Sequence, residues 1–232
     1  MTRRLAWIGA LTLFGCTASY ASIVTTPAGL APGSTYQLVF VTTDGFFATS
    51  TSISDYNADV TSEAALNATL AAFDALNGVT WTVIGSTTAV NSTTNAPSTG
   101  AVYTLDGTQV ASAANQLYSG SLLAPIDINE NGVTESTLAW TGSNSSGTAA
   151  GGINDLGQTF TEFGSSTLTS GAWIADSNGI ESDNSLQLYA LSSVITVQGT
   201  STVPEPATVA LVAGAIFLLA GLNRLRRHNS VN

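Results

Sequence analysis

Three spacings of apolar residues divide the chain. From Tyr36 to Thr42 nearly every residue is apolar. Tyr36, Leu38 and Phe40 point one way and Val39 and Val41 the other, which predicts a strand buried on both faces. Over 54–76 the spacing lengthens. Ile53, Tyr56, Val60 and Ala64 recur at helical intervals, followed by Leu66, Leu70, Phe73 and Leu76. This predicts a helical segment capped by Ser54–Asp55 and stopped by Asn77–Gly78, with a shift of stripe near Asn67 that allows two helices. Short strands are predicted over 80–84, 137–142 and 172–175, and the longest over 186–197. Val102–Leu105 and Thr108–Val110 flank Asp106–Gly107, a hairpin whose turn calls for positive φ angles. Residues 85–100 and 143–156 are rich in Ser, Thr, Asn and Gly and read as loops, and 117–125 is irregular.

The third pattern is an unbroken apolar run, and it occurs at each end. At the N-terminus Arg3 and Arg4 precede the run 5–15, and Ser19-Tyr20-Ala21 offers small residues to a signal peptidase. This predicts a signal peptide over 1–21, cut between Ala21 and Ser22. A rival reading is the lipoprotein pattern Leu13-Phe14-Gly15-Cys16, with Cys16 lipidated. Phe14 is bulky for that pattern, and a second anchor is redundant. At the C-terminus Pro204-Glu205-Pro206 precedes the run 207–222, which is followed by Arg224, Arg226 and Arg227. The run predicts a transmembrane helix of 16 residues, shorter than the usual ~20, that leans on flanking residues or local thinning. The arginines hold that end in the cytoplasm and leave the preceding domain outside. The chain thus divides into 1–21, one extracytoplasmic domain over 22–198, a linker over 199–203 and a tail over 204–227.

Composition sharpens this division. All five basic residues, the only His (His228) and the only Cys (Cys16) lie in the terminal segments. Residues 22–202 hold every one of the 15 acidic residues except Glu205. A domain with only negative charge cannot neutralise phosphates, which excludes nucleic acid as a partner. Without imidazole, amine or thiol it has no Ser-His-Asp, Cys-His, Schiff-base or His/Cys metal chemistry. Carboxylate chemistry remains: an acid pair of the glycosidase type, or oxygen ligands for a hard cation. Without disulfides or ion pairs, the core must rest on apolar packing and hydrogen bonds.

Two resemblances follow. Pro204-Glu205-Pro206, the run and the arginine cluster, in that order, resemble the PEP-CTERM sorting signal of Gram-negative bacteria. The resemblance implies that an exosortase cuts at the motif and releases the protein from the inner membrane to the cell surface or extracellular matrix, in association with exopolysaccharide and biofilm. The unprocessed alternative is a plain C-terminal anchor. The middle is similar to bacterial C-type-lectin-like domains of the endostatin-like kind. The matching stretches are 38–43, a helix, 102–110, 117–126, 139–143 and the closing strand 188–197. That resemblance implies an α+β fold, a single C-type-lectin-like domain whose first and last strands pair, plus the C-terminal transmembrane helix. An all-β sandwich is the alternative. The usual cysteines and the motifs that bind sugar through calcium are missing, so calcium-dependent sugar binding does not carry over.

One constellation points to an ion. Asp127, Asn129 and Asn131 followed by Gly132 match the start of a calcium loop, with Glu135 at the ninth position. The twelfth position is Leu138 where a bidentate Glu belongs, so a polar turn is the competing reading. No other cofactor is implied. Trp81, Trp140 and Trp173 are sugar platforms if exposed, but each sits in an apolar stretch that favours core packing. The expected function is that of an exported, non-enzymatic surface or matrix protein. A carbohydrate-binding module is the alternative, and a carboxylate-dependent glycoside hydrolase a third.

Overall fold

A computed structural model of the protein describes residues 22–176 and 179–199. Ala21, the motif Pro204-Glu205-Pro206, the run 207–222 and the arginine cluster lie outside the described residues. The chain begins with β1 (Thr35–Val41) and β2 (Phe46–Phe47), then α1 (Ile53–Leu66) and α2 (Ala68–Asn77). It continues through β3 (Trp81–Val83), α3 (Ser92–Asn95), β4 (Ala101–Thr104), β5 (Gln109–Ala111) and β6 (Leu138–Trp140). It closes with β7 (Phe160–Thr161), β8 (Phe163–Ser165), β9 (Ile180–Glu181), β10 (Ser185–Ser192) and β11 (Ile195–Thr196).

Strand β10 is the hub of a nine-stranded sheet with the path β5-β4-β1-β10-β6-β8. It runs antiparallel to β1, with Val39 opposite Leu191 and Phe40 opposite Ala190. On its other side it pairs antiparallel with β3 and parallel with β6. Strand β1 also pairs antiparallel with β11 and parallel with β4. The first and last strands therefore lie side by side.

Both faces of this central pair are buried, as the doubly apolar pattern of 36–42 requires. Tyr36, Leu38 and Phe40 join Leu188 and Ala190 in one cluster, closed by α1, Leu70 of α2, Trp81 and Trp140. Val39, Val41, Tyr189 and Leu191 face a second cluster with Ile84, Val110, Leu117, Ile126 and Trp173. The second cluster is covered mainly by loops and 3₁₀ turns. Gly164 permits one close approach there, because a Cβ on it would lie 1.8 Å from the Trp173 carbonyl oxygen.

Beyond β10, strand β3 has no further strand partner. Its outer edge is occupied by side chains instead. The Val83 N–H donates to Asn57 Oδ1 at 2.8 Å, and Asn95 Nδ2 donates to the Val83 carbonyl at 2.9 Å. The two amides also bond each other, at 3.0 and 2.9 Å. Helices α1 and α3 thus finish the hydrogen bonding of a strand edge that would otherwise be open to another chain.

The helical segment falls where its spacing predicts it, as α1 and α2 separated by Asn67. The Asn67 side chain accepts from Thr69 N and Leu70 N and starts the second helix. Gly78, at φ 65°, stops it. The α1 cap is Ser52, not Ser54.

The fold class differs from the expected α+β, C-type-lectin-like domain. Strands predominate, helices are few, and the chain forms a curled mixed sheet. Helical spacing is confined to one region, while β-branched residues and short strands fill the rest. The all-β sandwich is not the arrangement either, since one sheet carries a core on each face. The strand expected at 172–175 is a 3₁₀ turn, Gly171–Trp173. The long closing strand breaks at Ser193–Val194, where the Ser192 hydroxyl accepts from the Leu38 N–H in place of a ladder bond. The 106–107 turn uses one positive φ, at Gly107. No helix among the described residues is long and apolar enough to cross a membrane.

Replacing Asn57 with alanine leaves the buried edge of β3 unsatisfied, so we expect a loss of about 1–3 kcal/mol in urea unfolding. An unchanged midpoint would show that the side-chain edge is dispensable.

Candidate functional site

The segment 127–135 folds as a tight turn docked on the end of β1. Asn129 Oδ1 accepts the N–H groups of Asn131 and Val133, both at 2.9 Å. Asn129 Nδ2 donates to Glu135 Oε1 at 2.9 Å, and the Glu135 N–H donates to the Asp127 carbonyl. Asn131 is drawn outward, accepting from Asn67 Nδ2 and donating to Glu130. The four residues singled out for an ion thus share one turn, and hydrogen bonds within the chain engage three of their side chains. Among the described residues no group of three or more acidic, histidine or cysteine side chains is arranged to hold a metal.

Sequence reading passed over the more unusual acids. Glu130 is 1% exposed and Glu63 of α1 is 4% exposed, and the described residues include no cation. Glu130 accepts from the Thr43 N–H, the Thr43 hydroxyl and Asn131 Nδ2. The Asp44 N–H donates to Glu63 Oε2 at 3.3 Å. The Thr43–Asp44 turn therefore joins two buried carboxylates that lie far apart in sequence. Burial pushes the Glu63 carboxyl above its ordinary range. The Asp44 N–H opposes that shift, and the charges of Glu130, Asp44 and Asp59 add to it. The signal was present in the sequence, since Glu63 sits seven residues after Tyr56 on the buried stripe of α1.

The tryptophans are core residues: Trp81, Trp140 and Trp173 are at most 3% exposed. The Trp81 indole donates to Asp74, and the Trp140 indole to the Phe46 carbonyl.

A cavity of about 280 Å³ opens at the rim of the sheet, on the side of the second cluster. Gln37 of β1, Thr80 just before β3, Thr82 of β3, Asn95, Pro97, Thr99 and Ser192–Val194 contribute its walls. It forms where the apolar row Val41–Val39 gives way to Gln37. That amide is 3% exposed and fully used: Nε2 donates to the Pro97 and Ser192 carbonyls, and Oε1 accepts the Thr99 N–H and hydroxyl. A glutamine within an otherwise apolar strand was its sequence signal.

Of the predicted sorting residues, Ser22 is the first described residue and is exposed. Ala21, Pro204, Glu205, Pro206, Arg224, Arg226 and Arg227 lie outside the described residues. No protein-family model matches the chain, and no curated protein matches it.

The acids generate a pH prediction. A carboxyl with a raised folded pKa binds its proton more tightly in the folded state, so its contribution to stability falls as pH rises through that window. Burial raises Glu63, Asp59, Asp74 and Asp127. Asp106 shifts the other way, because bonds from Thr104 and Thr108 outweigh its burial. Its loss therefore begins only near its ordinary value of 3.8 and below. Melting temperature should rise as pH falls from 7 towards the ordinary carboxyl values of 3.8 and 4.5. Glu63→Gln should raise it by a few degrees at pH 7 and flatten the profile. A melting temperature that falls on acidification, or a destabilised Glu63→Gln variant, contradicts this.

Proposed function

We propose that the chain is an exported, non-catalytic protein of the cell surface or extracellular matrix, held in the inner membrane by 207–222 until an exosortase releases it. The observation that carries this reading is the order Pro204-Glu205-Pro206, apolar run and arginine cluster. The confinement of every basic residue to the two terminal segments supports it, because it sets the targeting ends apart from the domain between them.

A structural or binding role follows from what the domain offers. Residues 22–202 contain no Lys, Arg, His or Cys. A glycosidase needs two carboxyl groups flanking a bound sugar in a cleft. Glu63 and Glu130 meet at one turn, yet both are buried, and Glu130 is held by three donors of the chain itself.

Fractionation of a Gram-negative host with and without an exosortase tests the sorting step. With the enzyme, the protein should leave the inner membrane with a new C-terminus, read by mass, at or beside Pro204–Pro206. Without it, or with the three motif residues changed to alanine, full-length protein should stay in the membrane fraction. Protein in the cytoplasm, or the same intact C-terminus under all conditions, would overturn the proposal.

A further inference from the structure

The cavity at the sheet rim differs from the rest of the surface in one respect. In a domain whose only charges are negative, none of its walls carries a charge. Thr, Ser, Asn and Gln line it together with Pro97 and Val194. An anionic ligand would meet no cation there and would be repelled by the domain as a whole. A cationic ligand would find no carboxylate in the lining. Most of the exposed lining is apolar, with hydroxyls set into it, so the chemistry selects a neutral ligand that has both apolar and hydrogen-bonding parts.

The geometry narrows the class further. An extended peptide would bind such a place by adding a strand along β3. That mode is blocked, because Asn57 and Asn95 already occupy the N–H and carbonyl of Val83. What the cavity presents is the hydroxyls of Thr80, Thr82 and Thr99, the last two already donating within the chain but able to accept, on a floor fixed by the four bonds of Gln37. Among the described residues the Thr80 hydroxyl has no hydrogen-bonding partner, and Thr82 makes only a long bond, 3.3 Å to the Leu191 carbonyl. Ser98, between two lining residues, keeps a buried hydroxyl with no partner. Sugar hydroxyls match such groups one for one. A volume of about 280 Å³ falls at the small end of ligand sites, roughly 300–1,000 Å³, and suits one or two rings of a chain.

We infer that this cavity is a subsite for a neutral saccharide unit, with Thr80, Thr82 and Thr99 as its hydrogen-bonding groups. The inference stands on the cavity's own chemistry and is independent of export. No aromatic ring lines the site, because Trp81 turns to the opposite face from Thr80 and Thr82 and packs in the core. A single site is therefore weak, with Kd in the millimolar range, and useful binding to a polymer comes from many copies acting together.

Amide-resolved NMR titration of the domain tests this. The probes are neutral hexose oligomers (maltohexaose, cellohexaose and a mannan oligomer), a hexuronate oligomer and a Gly/Ser peptide. At least one neutral oligomer should give saturable shifts centred on Thr80, Thr82, Thr99 and Ser193, and the hexuronate and the peptide none. Thr80→Val should weaken binding at least threefold, and Thr99→Trp at the mouth should abolish it. The same spectra report whether each variant is folded, and loss of fold in one leaves the other as the test. The proposal is overturned by no saturable shift at these residues with any neutral oligomer, by shifts centred elsewhere, by equal or stronger binding of the hexuronate or peptide, or by folded variants that bind unchanged.

Discussion

The pairing of β1 with β10 is the constraint on which the rest of the domain depends. It joins residues about 155 positions apart, as the bond from Gln37 to the Ser192 carbonyl shows. Because both strands are apolar on both faces, the pair cannot lie at a surface. One face requires the helices and Trp81, and the other requires the loop-borne residues Leu117, Ile126 and Trp173. The order of the other strands follows. Strands β4, β3, β6 and β11 all find their places by pairing with one of these two. Loop closure over such a distance is entropically unfavourable, so the long Ser/Thr/Gly loops gain order only once the central pair exists.

The missing cations shape everything around that pair. In most domains buried carboxylates find Lys or Arg. Here Glu130 and Glu63 are matched by backbone N–H groups and hydroxyls of the 43–44 turn. The edge of β3 is closed by two asparagines, and the Gln37 amide binds the 97–99 loop to the sheet. Neutral hydrogen bonds are shorter in range and more directional than ion pairs, which ties the fold to exact side-chain lengths at these positions.

Much of the local structure was legible in the sequence. The doubly apolar run 36–42, the helical stripe broken at Asn67 and the burial of tryptophans set in apolar stretches all follow from the sequence pattern, and the folded chain places them accordingly. The fold class was not legible, because resemblance of short stretches in order does not encode how strands pair. The parallel contact of β1 with β4, and of β10 with β6, leaves no periodic mark. Gly171–Trp173 shows the limit clearly: an apolar four-residue stretch reads as a strand, but in the fold it is a 3₁₀ turn packed closely against Gly164. The polar features were hidden for a related reason. Glu63, Glu130 and Gln37 each look like an ordinary polar residue until the fold buries them, although each interrupts an apolar pattern. The proposed sorting signal lies outside the described residues and rests on a linear order of motif, run and charge.

The domain is thus a doubly cored sheet that displays an uncharged cavity on an otherwise acidic body. Both clusters hang on one strand pair and should open together. Native-state hydrogen exchange measures this most directly. The amides of Val39, Phe40, Ala190 and Leu191 should exchange last, at the free energy of global unfolding, with the slowest amides of both clusters in the same group. Faster exchange in β1 and β10 than in α1, or one cluster opening at low free energy while the other stays closed, would contradict it.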